Sequence, residues 1–550
     1  MVGADFVAFA NIHKLRLAWS TIRHLRTSQI TCRILRRFYR PSVEDGPPPP
    51  PRIIVRDAVE PASRTPCLTT KDTFVMLGQS GRIDSALAWN DVNRDKLWLY
   101  HCHYFEDLVA SRRDERKHWH EALIAKWIEE NPPGIGNGWE PYPLSLRISH
   151  WVLWSRLGGN LAEPWRKSLA VQVRWLRHHI EWHILANHVM ANAKALVLAG
   201  CWAGGNEGDG WLAEGLELLQ DQVNEQILND GGHIERTPMY HCQVLNDLLD
   251  VVNGLQSTNL PIPLWLTSAI VRMGEWLAIM RHPDGDIPLF NDSTFGMAPT
   301  PNALAEYGRR LGIDWSMALP TASVWLPLSG YARMVAKDAV VFCDAAPLAP
   351  DWQPGHSHAD TLTWEASFHE HRVVVDCGIS TYGTSDERCR QRGTLAHNTV
   401  TIDDQDSSEV WSGFRVGRRA RIIAAKMDDS GLRFCAVHDG YRQLGIRHER
   451  TWQLADQGLR IDDHVTGSQR HRLQTGILLH PNVKIISNNA GVYDVESRES
   501  NIRYRISVGP GAESCDANYH PSFGVALPTH RLTRRTNPVL PAIETAAVTW

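Results

Sequence analysis

The chain has 550 residues, of which 43% are hydrophobic and 21% are charged, as expected for a folded globular protein. This length exceeds what one compact core usually holds and predicts two or three domains. The formal net charge of −4 lacks the basic excess of a nucleic-acid-binding protein, and no apolar stretch approaches the roughly 18 residues that span a bilayer. Nucleic-acid binding and a membrane-spanning transporter or channel are therefore excluded.

Residues 1–46 are predicted to form a basic amphipathic arm. The first forty residues carry a local net charge of +7, with Leu and Ile side chains between the bases. This pattern favours peripheral contact with an anionic membrane or polysaccharide, or a solvated arm packed loosely on the more acidic remainder of the chain. The unbroken proline run at residues 47–51 predicts an extended linker, followed by a lead-in to residue 90.

The cellular compartment stays open. Residues 1–10 contain an acid and only a short apolar run, unlike a secretory signal. The ten cysteines include no C-x-x-C pair, which indicates neither a disulfide framework nor a cysteine zinc site. A reduced compartment is favoured, and both a bacterial cytoplasmic and a periplasmic location remain compatible with the sequence.

The rest of the chain divides into a helical half and a strand-rich half. Residues 91–325 place apolar side chains at three- and four-residue spacing, and residues 181–200 and 238–252 each predict one helix. From residue 326 onward, short β-branched runs separated by turn residues are typical of antiparallel strands. We therefore expect a multidomain α+β protein with an all-α domain followed by an antiparallel β-sandwich.

A loop before the predicted helix that contains Arg147 carries aromatic side chains. Residues 131–143 are too rich in Gly and Pro for a helix, and they present Trp139 and Tyr142 ahead of Arg147. Trp is also frequent in the whole chain, with 22 residues against 12 Phe. Fixed aromatic rings suit stacking on sugars, and Arg147 is able to pair with a substrate carboxylate. An ordinary rigid connector is the alternative.

Two further clusters lie in the helical half. Asn187 and His188 interrupt an apolar helical stripe, so they either satisfy each other or face a cleft. Thr237 and the proline after it predict a helix start that places Tyr240 in the first turn. The helix dipole and nearby Arg236 are expected to favour the phenolate of Tyr240 and make it a proton-transfer group. The alternative is a tyrosine that only fills a gap at a helix start.

A histidine-rich cluster lies in the strand half. His356 and His358 face the same side if they occupy a strand, and Asp376 and His397 follow on neighbouring segments. Two imidazoles and a carboxylate are suitable ligands for zinc or another divalent ion. The alternative is a hydrogen-bonded polar patch in which His358 pairs with Asp376.

Six short segments appear in the order found in one family of enzymes. They are residues 97–105, 138–147, 187–188, 235–241, 355–360 and 396–399. With these segments the chain resembles the heparinase II/III family of polysaccharide lyases, including members that accompany bacterial exopolysaccharide genes. The resemblance implies an incomplete (α/α) toroid followed by an antiparallel β-sandwich, with a substrate cleft between them.

The resemblance also implies a reaction and its residues. Family members cleave uronate-containing polysaccharides by β-elimination, which removes the C5 proton, releases the C4 oxygen and leaves an unsaturated sugar. The uronate carboxylate must be neutralised for the C5 proton to leave, a role implied for Asn187 with His356 assisting. Tyr240 is implied as base, acid or both, with His188 as the other base candidate and Tyr382 as a second functional tyrosine.

The family's metal set corresponds to His358, Asp376 and His397, which implies a divalent ion, usually a structural zinc. Two rival functions remain. One is a metal-dependent hydrolase that uses His356 and His358, although such enzymes carry this pair on the first strand of a β/α barrel. The other is a non-catalytic polysaccharide-binding or exopolysaccharide-assembly protein on a lyase fold. Which uronate polysaccharide is bound stays open.

Overall fold

The computed structural model describes residues 14–550, and helices precede strands along most of this length. After a helical stretch at residues 14–22, the helices are α1 (Thr27–Phe38), α2 (Lys96–Tyr104), α3 (Lys117–Glu130), α4 (Pro141–Arg156), α5 (Glu163–Arg177), α6 (Asn187–Trp202), α7 (Gly205–Gln226), α8 (Pro238–Ser257), α9 (Leu264–Ile279), α10 (Pro301–Arg310) and α11 (Asp386–Arg392). The predicted α+β class is confirmed.

The strands are antiparallel wherever they pair in a sheet. They are β1 (Thr73–Met76), β2 (Gln79–Arg82), β3 (Val324–Leu326), β4 (Tyr331–Ala336), β5 (Ala339–Asp344), β6 (Trp364–Phe368), β7 (His371–Val374), β8 (Val400–Ile402), β9 (Val410–Trp411), β10 (Arg415–Val416), β11 (Ile422–Met427), β12 (Arg433–His438), β13 (Arg447–Ala455), β14 (Gly458–Thr466), β15 (Leu473–Leu478), β16 (Val483–Asn489), β17 (Val492–Ser497), β18 (Arg503–Ser507), β19 (Glu513–Tyr519), β20 (Leu527–Thr536) and β21 (Ala542–Thr549).

Three sheets build the β half around a shared core. Strands β3 to β7 form one sheet in chain order, a second has the order β19-β20-β15-β8, and the largest runs β11-β12-β13-β14-β21-β18-β17-β16. Trp364 of the first sheet, Ile477 of the second and Trp452 of the third lie in one apolar cluster. Alternating side chains of facing sheets therefore form the core, as in a β-sandwich.

Helix α6 is the centre of the helical half. Almost all of its residues are buried, and its alanine-rich sequence lets neighbouring helices approach closely. Gly200 shows why small residues are needed, because a Cβ at this position would lie 2.6 Å from the Cα of Leu212 on α7. Polar side chains at the start of such a helix need partners, since water does not reach its interior.

Two predicted helices have different limits in the structure. The helix expected over residues 181–200 begins only at Asn187, because Leu185 and Ala186 have φ values of 73° and 50° and interrupt the helical backbone. Helix α8 begins at Pro238 as predicted but continues past Gly254 to Ser257. Gly254 does not end the helix, and its missing side chain instead makes room for Leu198.

The N-terminal predictions change in the structure. Residues 1–13 of the predicted arm lie outside the described residues, whereas residues 14–38 pack against both halves of the protein. The proline run is not a free linker: the Gly204 amide donates to the Pro50 carbonyl at 2.8 Å, and Arg174 donates to the Pro47 carbonyl at 2.8 Å. Extended prolines leave their carbonyl oxygens unpaired, and the helical half supplies the donors.

Within residues 14–550, none of the helices combines the length and the apolar composition that crossing a membrane requires.

Candidate active site

A cavity of ≈ 610 Å³ lies between the helical half and the β half. Six of the sequence-predicted site residues line it: Tyr142, Asn187, His188 and Tyr240 from the helical half, and His356 and Tyr382 from the β half. Chain segments far apart in sequence therefore meet at one cavity.

Two phenols face each other in the cavity. The hydroxyl of Tyr240, in the first turn of α8, lies 3.1 Å from the hydroxyl of Tyr382, and the Tyr240 ring packs on the His356 ring with centroids 4.0 Å apart. Burial and the neighbouring Tyr382 raise the pKa of Tyr240 well above its usual value. The expectation that the helix start favours a phenolate is therefore wrong, because loss of solvent outweighs the helix dipole. Tyr240 is a neutral phenol near pH 7.

Asp292 fixes His356 from behind the cavity. One carboxylate oxygen contacts Nδ1 of His356 at 2.9 Å, and the other contacts Nε2 of His358 at 2.8 Å. Burial opposes the charge of this carboxylate, but Arg388 and both histidines hold the pKa of Asp292 well below its usual range. His356 and His358 lie in a loop between β5 and β6 and not on a strand, so the expectation based on strand geometry is wrong. The two rings are held together by their shared contact with Asp292.

Glu235 holds Asn187 in position. This fully buried carboxylate accepts hydrogen bonds from the Asn187 backbone amide at 3.0 Å and from its side-chain Nδ2 at 2.8 Å. Burial opposes ionisation, but nearby His356 and His233 and the bonds from Asn187 lower the pKa of Glu235. The carboxylate thus takes the first unpaired amide of α6 and orients the Asn187 side chain at the cavity wall.

His188 is oriented by a second buried acid. Its Nδ1 lies 3.0 Å from Oε2 of Glu181, and its ring packs on Tyr142 with centroids 4.5 Å apart. Burial alone would lower the pKa of His188, but the charge and hydrogen bond of Glu181 raise it. The Glu181 contact leaves Nε2 as the nitrogen available for proton transfer.

Three predicted substrate-binding residues are elsewhere. Trp139 is buried and donates from Nε1 to the Asn131 carbonyl, and Arg147 is fully buried over the Trp127 ring at 3.8 Å. Arg236 donates its guanidinium hydrogens to backbone carbonyls, including that of Ile234. These three predictions are wrong, because internal packing and internal acceptors occupy the side chains; of this predicted set, only Tyr142 lines the cavity.

Two histidines near the cavity have unpaired nitrogens. Nδ1 of His358 and Nε2 of His397 are buried and have no hydrogen-bond partner among the described residues, and their ring centroids are 5.3 Å apart. Ligand atoms of His358, Asp360 and His397 lie within 4.8 Å of one another. Two nitrogens and one carboxylate oxygen fit zinc. A metal here is compatible with the side chains present.

Asp376, the predicted third ligand, has a different contact. Its carboxylate lies 2.9 Å from Nδ1 of His397 and 3.0 Å from the Thr363 hydroxyl. It groups with Cys377 and His397 but not with His358. Asp376 is therefore better suited to orient His397 from behind, and Asp360 is the carboxylate placed to share a metal ion with His358 if one binds.

Sequence reasoning missed the buried acids that orient the site. Glu181 contacts His188, Glu235 contacts Asn187, and Asp292 contacts both His356 and His358. Glu235 stands inside a segment, residues 235–241, that already resembled the family, so its place in that segment was a usable signal. Asp292 lies in no such segment, and only the fold brings it to His356.

Comparison with known proteins agrees with this organisation. Residues 116–307 match the family description "Heparinase II/III N-terminus", and residues 318–545 match "Heparinase II/III-like, C-terminal". The chain belongs to the heparinase II/III family. This family member is 28% identical over 364 residues to FtsZ-localized protein C of Caulobacter vibrioides, covering 64% of this chain and 61% of that protein.

This family member is also similar to enzymes that are named as lyases. It is 24% identical over 334 residues to heparin-sulfate lyase of Bacteroides stercoris, covering 54% of this chain and 47% of that enzyme. The chain thus spans about half the length of that curated relative.

Solved structures establish the fold. A crystal structure of heparinase III superposes with a TM-score of 0.66 at 17% identity, covering 86% of this chain and 78% of that one. Heparan sulfate lyase from Pedobacter heparinus superposes with a TM-score of 0.57 at 16% identity, covering 88% and 83%. The predicted helical toroid followed by an antiparallel β-sandwich is confirmed.

Proposed function

We propose that this protein is a polysaccharide lyase that cleaves a uronate-containing chain by β-elimination. The observation that carries the proposal is the meeting of Asn187 and Tyr240 with His356 at one cavity. An amide, a phenol and an imidazole would then surround one sugar unit. These are the groups needed to stabilise the uronate carboxylate and to move protons while the C5 proton is removed.

The first chemical requirement is neutralisation of the uronate carboxylate. Both oxygens of Glu235 contact Nδ2 of Asn187, at 2.8 and 3.1 Å. Two oxygens of one carboxylate lie on the same side of a primary amide, so we propose that they share one N–H and that the second N–H donates to the substrate. His356 adds a donor from the β half: Asp292 contacts its Nδ1 and keeps its ring in place, and its Nε2 lies 3.8 Å from the Glu235 carboxylate that holds Asn187. Two such donors stabilise the enolate that forms when the C5 proton leaves.

The second requirement is a base and an acid. In the proposed reaction neutral His188 accepts the C5 proton, and the C–H electron pair forms the C4–C5 double bond. The C4–O bond breaks, and the departing oxygen receives a proton from Tyr240. The raised pKa of Tyr240 suits the acid role, because the phenol keeps its proton until the leaving oxygen needs it.

A divalent ion, which we expect to be zinc, is proposed at His358 and His397 with Asp360, and Asp376 orients His397. When bound it would cross-link the loop of His358 to the segment of His397, a structural contribution. Because His358 and His356 share Asp292, this cross-link would also steady His356.

The test is an ultraviolet assay for the conjugated double bond of an unsaturated uronate. Heparosan, heparan sulfate, chondroitin sulfate, hyaluronan and alginate are each incubated with the full chain. We expect new absorbance with at least one polymer and none with neutral glucans. Absence of absorbance with every polymer, with binding still measurable, would contradict the lyase proposal.

A second candidate is a binding protein without turnover. This candidate is supported by the 28% identity to FtsZ-localized protein C, a protein named for its localisation and not for a catalytic activity. Binding of a uronate polymer that proceeds without double-bond formation, and that survives Tyr240→Phe unchanged, would favour this candidate.

A further inference from the structure

Residues 14–38 form part of the cavity wall. Gln29 of α1 is only 1% exposed, and its Nε2 donates to the Ile184 carbonyl of the helical half at 3.3 Å and to the Trp352 carbonyl of the β half at 3.1 Å. A single amide thus joins α1 to both sides of the cavity. Such a buried side chain with two partners requires a fixed position of the helix.

Other contacts hold the middle of this segment against both halves of the protein. The Arg26 guanidinium lies 4.0 Å from the ring centroid of Trp352 and forms an ion pair with Glu225. On the β side, Nε1 of Trp411 donates to the Thr21 hydroxyl at 3.2 Å. The N-terminal segment is therefore a built wall of the site and not a loose arm.

Two guanidinium groups face the cavity without a carboxylate partner. Arg33 of α1 and Arg415 of β10 both line it. The Arg33 guanidinium donates to the backbone carbonyl oxygen of His183 at 3.1 Å. The Arg415 guanidinium lies 4.9 Å from the Trp411 ring centroid. Neither forms an ion pair with an acid in the part of the chain that the structure describes.

The two arginines are exposed, and their like charges lie close enough to act on each other. Partial burial and the neighbouring charge of Arg415 lower the pKa of Arg33. Glu106 is the one acid among the cavity-lining residues described. The charge of Glu106 already has partners in His101 and Arg64. Burial disfavours the ionised form, but these two side chains lower the pKa of Glu106 to about 2. Arg33 and Arg415 thus carry positive charge that no other acid among the described cavity-lining residues is placed to neutralise.

We infer that Arg33 and Arg415 form an anion-binding subsite for a second acidic group of the saccharide, apart from the carboxylate at Asn187. Guanidinium groups bind carboxylates and sulfates through paired hydrogen bonds, and both anions occur on uronate polysaccharides. The inference rests on the proposed function. It goes beyond the family comparison, because Arg33 precedes the family-matched residues, which begin at 116.

The experiment measures binding of two tetrasaccharides, unsulfated heparosan and its sulfated counterpart, by calorimetry at a temperature where turnover is negligible. The variants are Arg33→Ala, Arg415→Ala and the double substitution. Arg37→Ala is the matched control, since Arg37 is exposed on the same helix, does not line the cavity and changes the net charge equally.

We expect each cavity variant to weaken binding about tenfold, which corresponds to about 1.4 kcal/mol, and the control to bind as the unaltered chain does. Weaker binding of both sugars identifies a carboxylate as the anion, and weaker binding of the sulfated sugar alone identifies sulfate. Unchanged binding in all variants, or equal weakening by Arg37→Ala, would overturn the subsite.

A second measurement separates this inference from the proposed function. Melting temperatures are recorded in sodium sulfate and in sodium chloride of equal ionic strength. We expect sulfate to stabilise the unaltered chain and Arg37→Ala, but not Arg33→Ala. If neither sugar binds the unaltered chain, heparosan-type substrates are excluded, the five-polymer absorbance assay decides the proposed function, and the sulfate measurement still decides the subsite. Equal stabilisation of Arg33→Ala would overturn it, and melting in chloride verifies that each variant is folded.

Discussion

The hydroxyl of Tyr240 lies 3.1 Å from the hydroxyl of Tyr382, although 142 residues separate them in the chain. One phenol belongs to the helical half and the other to the β half, so their contact closes the cavity from both sides. Burial raises the pKa of both phenols; the neighbouring Tyr382 adds to the rise for Tyr240, and the charge of Asp292 adds to the rise for Tyr382.

Tyr240→Phe should abolish most turnover. The substitution removes the proton proposed for the leaving oxygen, and loss of general acid catalysis costs about 100- to 10,000-fold in rate. Turnover is measured by ultraviolet absorbance and folding by thermal melting. Tyr441→Phe is the control, since Tyr441 is a buried phenol bonded to the Val400 carbonyl and does not line the cavity. Equal activities of the two variants would remove Tyr240 from the mechanism.

Asp292→Asn should destabilise the protein strongly. Arg388 is fully buried and pairs with Asp292, so neutralising this acid leaves a buried cation without its counter-charge, at a cost of about 3–5 kcal/mol. The free energy of unfolding in urea measures the effect. Glu306→Gln removes an acid from an exposed pair with Arg309 and should cost far less, because solvent screens such a pair. Similar losses in the two variants would contradict the role of Asp292.

The rate should depend on pH through His188. A base must be neutral, so kcat/KM rises with pH as His188 loses its proton, and Glu181 places this rise above the ordinary pKa of 6.5. Glu181→Gln removes the charge that raises the pKa of His188 and leaves burial, which lowers it. The rise should therefore move to lower pH. Glu214→Gln, in an exposed pair with Arg177, should leave the profile in place. An unmoved profile in Glu181→Gln would exclude His188 as the base.

The purified protein should contain about one equivalent of a divalent metal. Elemental analysis measures it, and His397→Ala should reduce the content because one orphaned nitrogen is removed. Chelation should lower the melting temperature, while activity persists until the protein unfolds. Immediate loss of activity with unchanged melting would instead indicate a catalytic metal, as in a hydrolase. His471→Ala serves as a control, since His471 contacts Asp403 away from the cluster.

Arg147→Lys should reduce stability without a specific effect on KM. The Arg147 guanidinium donates to Gln172 at 2.9 Å and to the Gly138 carbonyl at 2.8 Å, and an ammonium group cannot reach both. Loss of such charged hydrogen bonds costs about 1.5–3 kcal/mol. Urea unfolding measures the loss, with Arg177→Lys on an exposed pair as the control. A raised KM at unchanged stability would restore Arg147 as a substrate-binding residue.

The sequence alone determined the order of the two halves and much of the site's composition. Helical spacing and β-branched runs are local properties, so the change from helices to strands was readable along the chain. The short segments containing Asn187, Tyr240 and His356 were recognisable because each is continuous in sequence.

Only the tertiary structure decided which of these side chains face the cavity and what holds them. Arg147 and Trp139 carry suitable chemistry, but packing turns them inward, and burial reversed the expected direction of the pKa shift at Tyr240. Asp292 and Arg33 reach the site through long-range contacts with no local signature. Burial and partner choice depend on the whole fold, and a pattern of neighbouring residues does not contain that information.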